Sequence, residues 1–203
     1  VMLGGLTTSN FWQSSAGAKN LKANMFARAN ENVGKSAPVT SEVLLQAGGT
    51  IDIGDEFSAT DIEIKSGGSL LTSGSGLISS ETLTTSSVTG TDIETAVDTL
   101  SFDNTGTGNV VVNDQDSLSV SGSNSGGDAS ITTSSDMDVT GINASNNVAL
   151  TSGGTISTTG IITASEAATL SATGKIVLKQ TIVTGSNATL SASDLIDIQD
   201  GME

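Results

Sequence analysis

The sequence predicts an all-β fold, a parallel β-solenoid of about nine coils of 19–20 residues, and three observations predict it. First, Leu150 returns as Leu170 and Leu190, and the series runs back through Ile131, Val112, Ile93, Leu83, Ile64 and Leu45. Its members stand 19 or 20 apart except between Leu83 and Ile93, where a step of 10 marks a shortened coil or a slip of register. Second, apolar residues follow this series as pairs two apart, such as Leu118 with Val120, Met137 with Val139 and Ile196 with Ile198. A spacing of two puts both side chains on one face of a strand. Third, the chain has 24 Gly, one Pro, no Cys, no His, no Tyr and only 2% aromatic residues. A core limited to Val, Ile, Leu and Ala suits many thin repeated layers, since large aromatics are what fill an ordinary three-dimensional core.

Residues 43–203 carry the repeat. The first column is the Leu45-to-Leu190 series; the second holds Ile51 and Ile53, Leu70, Val88, Leu100 and Phe102, and the later pairs. A third reads at Phe57, Leu77, Ile142, Ile161 and Ile182, which implies three short strands per coil. Between the columns stand "AGGT", "KSGGS", "NTGTGN" and "ATGK", residues that tolerate tight corners. Nine layers at about 4.8 Å make a rod roughly 43 Å long. Antiparallel sandwiches also use short strands, but without a phase held from Val112 to Leu190. Residues 1–42 do not follow the repeat. There Ala16 to Asn32 places Leu21, Met25 and Ala29 four apart, with Phe26 alongside, predicting a helix capped by Ser14 or Ser15 and ended by Gly34. This partly helical segment is expected to act as a cap or an intersubunit connector.

The stretches "TSGGTISTTGIITASEAATLSATGKIVL" and "NTGTGNVVVNDQDSLSVSGSNSGGDASITTSSDMDVTGINASNNVAL" resemble the repeats of bacterial surface proteins of the filamentous-haemagglutinin and autotransporter-adhesin type. The resemblance covers about residues 43–200. It implies a right-handed β-helix, an extracellular or cell-surface location, and a host-cell or extracellular-matrix surface as partner. Residues 1–42 do not resemble the β-helical secretion domain that begins a two-partner haemagglutinin.

Charge separates the same two regions. Residues 1–42 hold Lys19, Lys22, Arg28 and Lys35 against Glu31 and Glu42, a net of +2. The remainder holds 20 acids against Lys65, Lys175 and Lys179, a net of −17. An acidic body disfavours nucleic acid, whose phosphates require clustered cations, and suits solubility, divalent cations or a basic partner. No run of about 18 apolar residues occurs, so direct membrane insertion is not expected. The start "VMLGGLTTSNFW" lacks a signal peptide's basic and apolar regions, and fits a processed chain or an excerpt.

Catalysis is not expected. With no His or Cys, the usual general base and thiol nucleophile are missing, and the single Arg28 lies outside the coils. A polysaccharide hydrolase would need two carboxyls across a cleft, a spacing that Asp52 with Asp55, or Asp136 with Asp138, meets only by chance. No cofactor is expected apart from Ca2+, for which "DIGDEFSATD", "NDQD" and "DMD" gather hard oxygen donors. The candidates are Asp52, Asp55, Asn113, Asp114, Asp116, Asp136 and Asp138; the competing reading places these acids on solvent-facing strand positions and corners. A Thr-x-Thr ice-binding face is rejected, because Thr82 with Thr84 does not recur regularly along the sequence. Phe11, Trp12, Leu21, Met25, Phe26 and Arg28 are the candidate cap or connector residues. In one reading they cover their own first coil; in the other they reach a neighbour's last coil at Ile196 and Ile198, and head-to-tail contacts build a fibre. The function expected is therefore non-catalytic and structural, a subunit or segment of a surface fibre or adhesin. A Ca2+- or glycan-binding adhesion module is the alternative, and a polysaccharide-active enzyme the second.

Overall fold

The computed structural model describes residues 10–13, 20–22 and 42–199, and among them every regular element is a strand. The first are β1 (Asn10–Gln13), β2 (Asn20–Lys22), β3 (Glu42–Ala47), β4 (Thr50–Ile53), β5 (Glu56–Ser58), β6 (Asp61–Ser66) and β7 (Leu70–Thr72). Two long strands follow, β8 (Leu77–Ser87) and β9 (Thr91–Asn104), then β10 (Val110–Asp114), β11 (Leu118–Asn124), β12 (Ala129–Thr133) and β13 (Met137–Ala144). The last coils hold β14 (Val148–Ser152), β15 (Ile156–Thr158), β16 (Ile162–Ala164), β17 (Ala168–Ala172), β18 (Ile176–Leu178), β19 (Ile182–Thr184), β20 (Ala188–Ala192) and β21 (Ile196–Ile198).

Every strand pairing is parallel, and the pairing strands lie about one coil apart in sequence. The result is a parallel β-solenoid of about eight turns, with three short strands in its final complete coils. Alternation along each strand sends Val, Ile, Leu and Ala inward and Ser, Thr and Asp outward, as in β17, where Ala168, Leu170 and Ala172 are buried between Thr169 and Ser171. Inward residues stack into columns. One runs Ile53, Thr72, Ile93, Val112, Ile131, Leu150, Leu170, Leu190. A second runs Val43, Ile62, Leu83, Leu100, Val120, Val139, Thr158, Leu178, Ile198.

These columns explain the one irregular step in the spacing. Ile93 descends from Ile53, and Leu83 continues to Leu100, so the short step from Leu83 to Ile93 joined two different columns. Its cause is a pair of compensating coils, a long one from Ile62 to Leu83 and a short one from Leu83 to Leu100. One-position shifts recur elsewhere. Ile78 and Ile162, both fully buried, hold the inward positions assigned to Leu77 and Ile161, and Ile161 is exposed. Val88, placed in the core by its spacing, is exposed at a corner.

The N-terminal segment requires a second correction. Asn20–Lys22, within the expected helix, is a strand that pairs in parallel with β4 and sets Leu21 beside Ile51. Phe11 and Trp12 lie in β1, in register with Leu44 and Leu45. The parallel ladder therefore extends into residues 1–42. Met25, Phe26 and Arg28 lie outside the described residues.

Candidate functional site

The expected Ca2+ ligands are dispersed by the fold. Asp52 is on the outward side of β4, while Asp55 at the following corner accepts a hydrogen bond from Ser75 Oγ at 3.3 Å. Asn113 donates through Nδ2 to Glu94 Oε1 at 2.9 Å, one coil below. Among the described residues no three acidic side chains come close enough together to hold a metal ion.

Asp114 departs most from the sequence reading, because it is buried and does not face solvent. It stands at an inward corner where Thr95, Asp114, Thr133 and Ser152 stack. Thr95 Oγ1 and the Val97 N–H donate to its Oδ2 at 2.8 and 3.0 Å, and the Asp116 N–H donates to Oδ1 at 2.9 Å. Burial pushes the carboxyl above its usual range, with Asp116 adding a like charge, and the three hydrogen bonds pull the other way. Both oxygens are thus committed to the protein's own donors. Asp116 itself is exposed.

Asp136 and Asp138 meet a third acid that the sequence reading did not single out. With Asp98, Ser117, Ser119, Thr155 and Ser157 they line a surface groove of about 400 Å³ floored by Leu118 and Met137. It opens beside the middle of β9, where the next coil cuts the corner from Asp114 to Leu118. Asp136 Oδ1 accepts from the Thr155 N–H at 2.7 Å and Asp138 Oδ1 from Thr159 Oγ1 at 3.2 Å. The groove offers acceptors and hydroxyls suited to a polyhydroxylated or cationic group. Asp98 was hidden because its place, next to the Thr99 that pairs with Ser119, depends on the short coil between Leu83 and Leu100.

A polar ladder at another corner was also missed. Ser66, Ser87, Asn104 and Asn124 are buried at successive turns of one corner. Asn104 accepts from Ser87 Oγ and the Gly90 N–H, both at 3.1 Å, and donates to the Thr107 and Gly108 carbonyls at 3.1 Å and to Asn124 Oδ1 at 2.8 Å. Asn124 in turn donates to Asp128 O at 2.6 Å. The signal was in the sequence, where "NTG" at Asn104 returns one coil later as "NSG" at Asn124. The ladder adds side-chain donors to carbonyls at the turns, those of Thr107, Gly108 and Asp128.

Outward hydroxyls stack too. Thr82 and Thr84 lie against Thr99 and Ser101, then Ser119 and Ser121, before Asp138 and Gly141 interrupt the pattern.

The last described rung of the rod differs from its middle. Ile196 and Ile198 are 41% and 59% exposed, whereas Ile176 and Leu178, their column neighbours one rung below, are 0% and 5% exposed. Leu195 and Val183 add to this uncovered apolar rung, and Asp194 and Asp197 carry its charge. The chain matches no known family, no curated protein and no solved structure.

Proposed function

We propose that the chain is a non-catalytic structural protein, a solenoid subunit or segment of an extracellular bacterial surface fibre or adhesin that assembles head to tail. One observation carries this reading: each coil repeats the parallel strand register of the coil before it, so the molecule is a rung-by-rung stack of the kind that pairs with more of the same. Surrounding features agree with a structural role. The interior is a continuous aliphatic stack, and the corner polar groups of Asn104, Asn124 and Asp114 are spent on holding turns. The absence of His and Cys from the chain, and the engagement of Asp136 and Asp138 in structural hydrogen bonds, argue for a frame without catalysis. The surface location and a host-cell or matrix partner follow from the resemblance of the repeats.

Negative-stain electron microscopy of the purified chain tests the reading. Fibres of uniform width, many times longer than one solenoid of about 38 Å, are expected. Isolated short rods at every concentration would remove head-to-tail assembly.

The groove at Asp98, Asp136 and Asp138 favours a second reading, an adhesion module for a glycan. An Asp136→Asn, Asp138→Asn double variant should then lose glycan retention on an array. A variant that retains the same glycans as the parent would sink it.

A further inference from the structure

The groove floored by Leu118 and Met137 crosses four successive coils in the middle of the rod. Asp98 stands on the first of them, and Asp136 with Asp138 on the third. Hydroxyls fill the coils between and beyond, Ser117 and Ser119 on the second, Thr155 and Ser157 on the fourth. At about 4.8 Å per coil the groove is about 14 Å long and runs along the rod, across the strands. No basic side chain lines it, and the ion pair found among the described residues, Lys65 with Glu63, lies elsewhere. Asp136 and Asp138 each commit Oδ1 to a protein donor, and among the described residues their Oδ2 atoms take none.

Three properties of the groove narrow what it can hold. Its negative charge is spread along its length, and no three acids converge closely enough for a metal ion, so the complementary charge must be spread along the ligand too. The lining strands β11, β13 and β15 are paired on both sides, so an extended peptide finds no open strand edge there to add to. Recognition falls to side chains, and Ser and Thr hydroxyls both donate and accept, as the hydroxyls of a sugar do. We infer that the groove binds a cationic amino-sugar oligomer, with its ammonium groups beside the three acids, its hydroxyls on the Ser and Thr rungs, and the C–H face of a ring over Leu118 and Met137. This deepens the glycan-binding reading of the same groove and rests on it. Uronates and sulfated sugars are repelled by the same carboxylates.

Titration calorimetry of the whole chain tests the assignment with a short oligomer of glucosamine, whose amines are free. Three comparison probes accompany it: the N-acetylated oligomer of the same length, a galacturonate oligomer and an oligolysine peptide. The glucosamine oligomer should bind best, and less tightly as salt rises. Asp98→Asn should weaken it about threefold and the Asp136→Asn, Asp138→Asn pair about tenfold, the scale of exposed charge pairs. The new amide oxygens still accept from Thr155 and Thr159, so these substitutions remove charge without removing a structural acceptor. Asp92 is exposed on a different face of the solenoid, in the outward column of Val111, so Asp92→Asn removes an equal charge outside the groove and should leave binding unchanged.

Equal binding of the N-acetylated oligomer, or tighter binding of the galacturonate, would overturn the inference while leaving a glycan site in place. Oligolysine bound as tightly and lost in the same variants would replace it with a basic peptide. Binding that survives the groove substitutions, or that falls equally in Asp92→Asn, would reduce it to attraction by the rod's net charge. An absence of binding by every oligosaccharide would remove the inference and the glycan reading together.

Discussion

Thr85 occupies an inward position between Ile64 and Phe102, is 2% exposed, and its Oγ1 has no hydrogen-bond partner. A buried hydroxyl without a partner costs about 1–3 kcal/mol, and Val has nearly the same shape. Thr85→Val should therefore raise stability by about 1 kcal/mol, read as a higher urea midpoint with an unchanged slope. A lower midpoint would show that the hydroxyl is satisfied. Asn104 presents the opposite case, because its amide serves five partners at a corner. Removing it strands several buried groups, so Asn104→Ala should cost about 3 kcal/mol in the same titration. Asp114 makes stability depend on pH. Its folded carboxyl holds its proton more tightly than the unfolded chain's, whose value is 3.8, so the folded state binds more protons in the interval between them. Its contribution is present below 3.8 and is lost as pH rises through the higher folded value. Asp114→Asn should flatten that part of the stability profile relative to the parent, and an unchanged difference between acid and neutral pH would refute the assignment.

Among the strands, existence was legible because outward Ser and Thr alternate with inward aliphatics, and a period of two has no helical counterpart. Their phase was less legible. Leu77 and Ile78 are both apolar, as are Ile161 and Ile162, and a slip of one position exchanges the faces without altering the composition of the strand. The segment around Leu21 shows the same ambiguity: a four-residue spacing matched a helix, yet the edge of β4 offers backbone partners that override a weak local preference. One strand carries a packing relation that no pattern announces. Gly122 in β11 is aligned with Phe102, and a Cβ built on Gly122 would fall 2.5 Å from ring atoms of Phe102. Gly122→Ala should overpack this layer, against the Phe102 carbonyl oxygen as well as its ring, and cost about 1–3 kcal/mol in a urea titration. A variant as stable as the parent would mean that the layer has room for the methyl group.

Across the rod as a whole, charge is the least compensated quantity. Residues 43–203 carry −17, and the ion pair found among the described residues is Lys65 with Glu63, at 2.6 Å on an exposed strand face. Self-repulsion therefore opposes the compact rod. Lengthening the screening distance from about 8 Å in physiological salt to about 30 Å at 0.01 M should lower the melting temperature. Melting that is independent of salt would show that the acids lie too far apart to interact. The parallel stack, the approximate coil length, the aliphatic interior and the polar corners could all be read from the chain, because each is a matter of periodicity along it. Four features needed the folded molecule: the continuation of Leu83 to Leu100, the burial of Asp114, the meeting of Asp98 with Asp136 and Asp138, and the uncovered Ile196 and Ile198 at the last described rung. These depend on which residue lies one rung away. In a solenoid that alignment is the running sum of all earlier coil lengths, so the long coil from Ile62 to Leu83 and the short one from Leu83 to Leu100 redirect every neighbour beyond them.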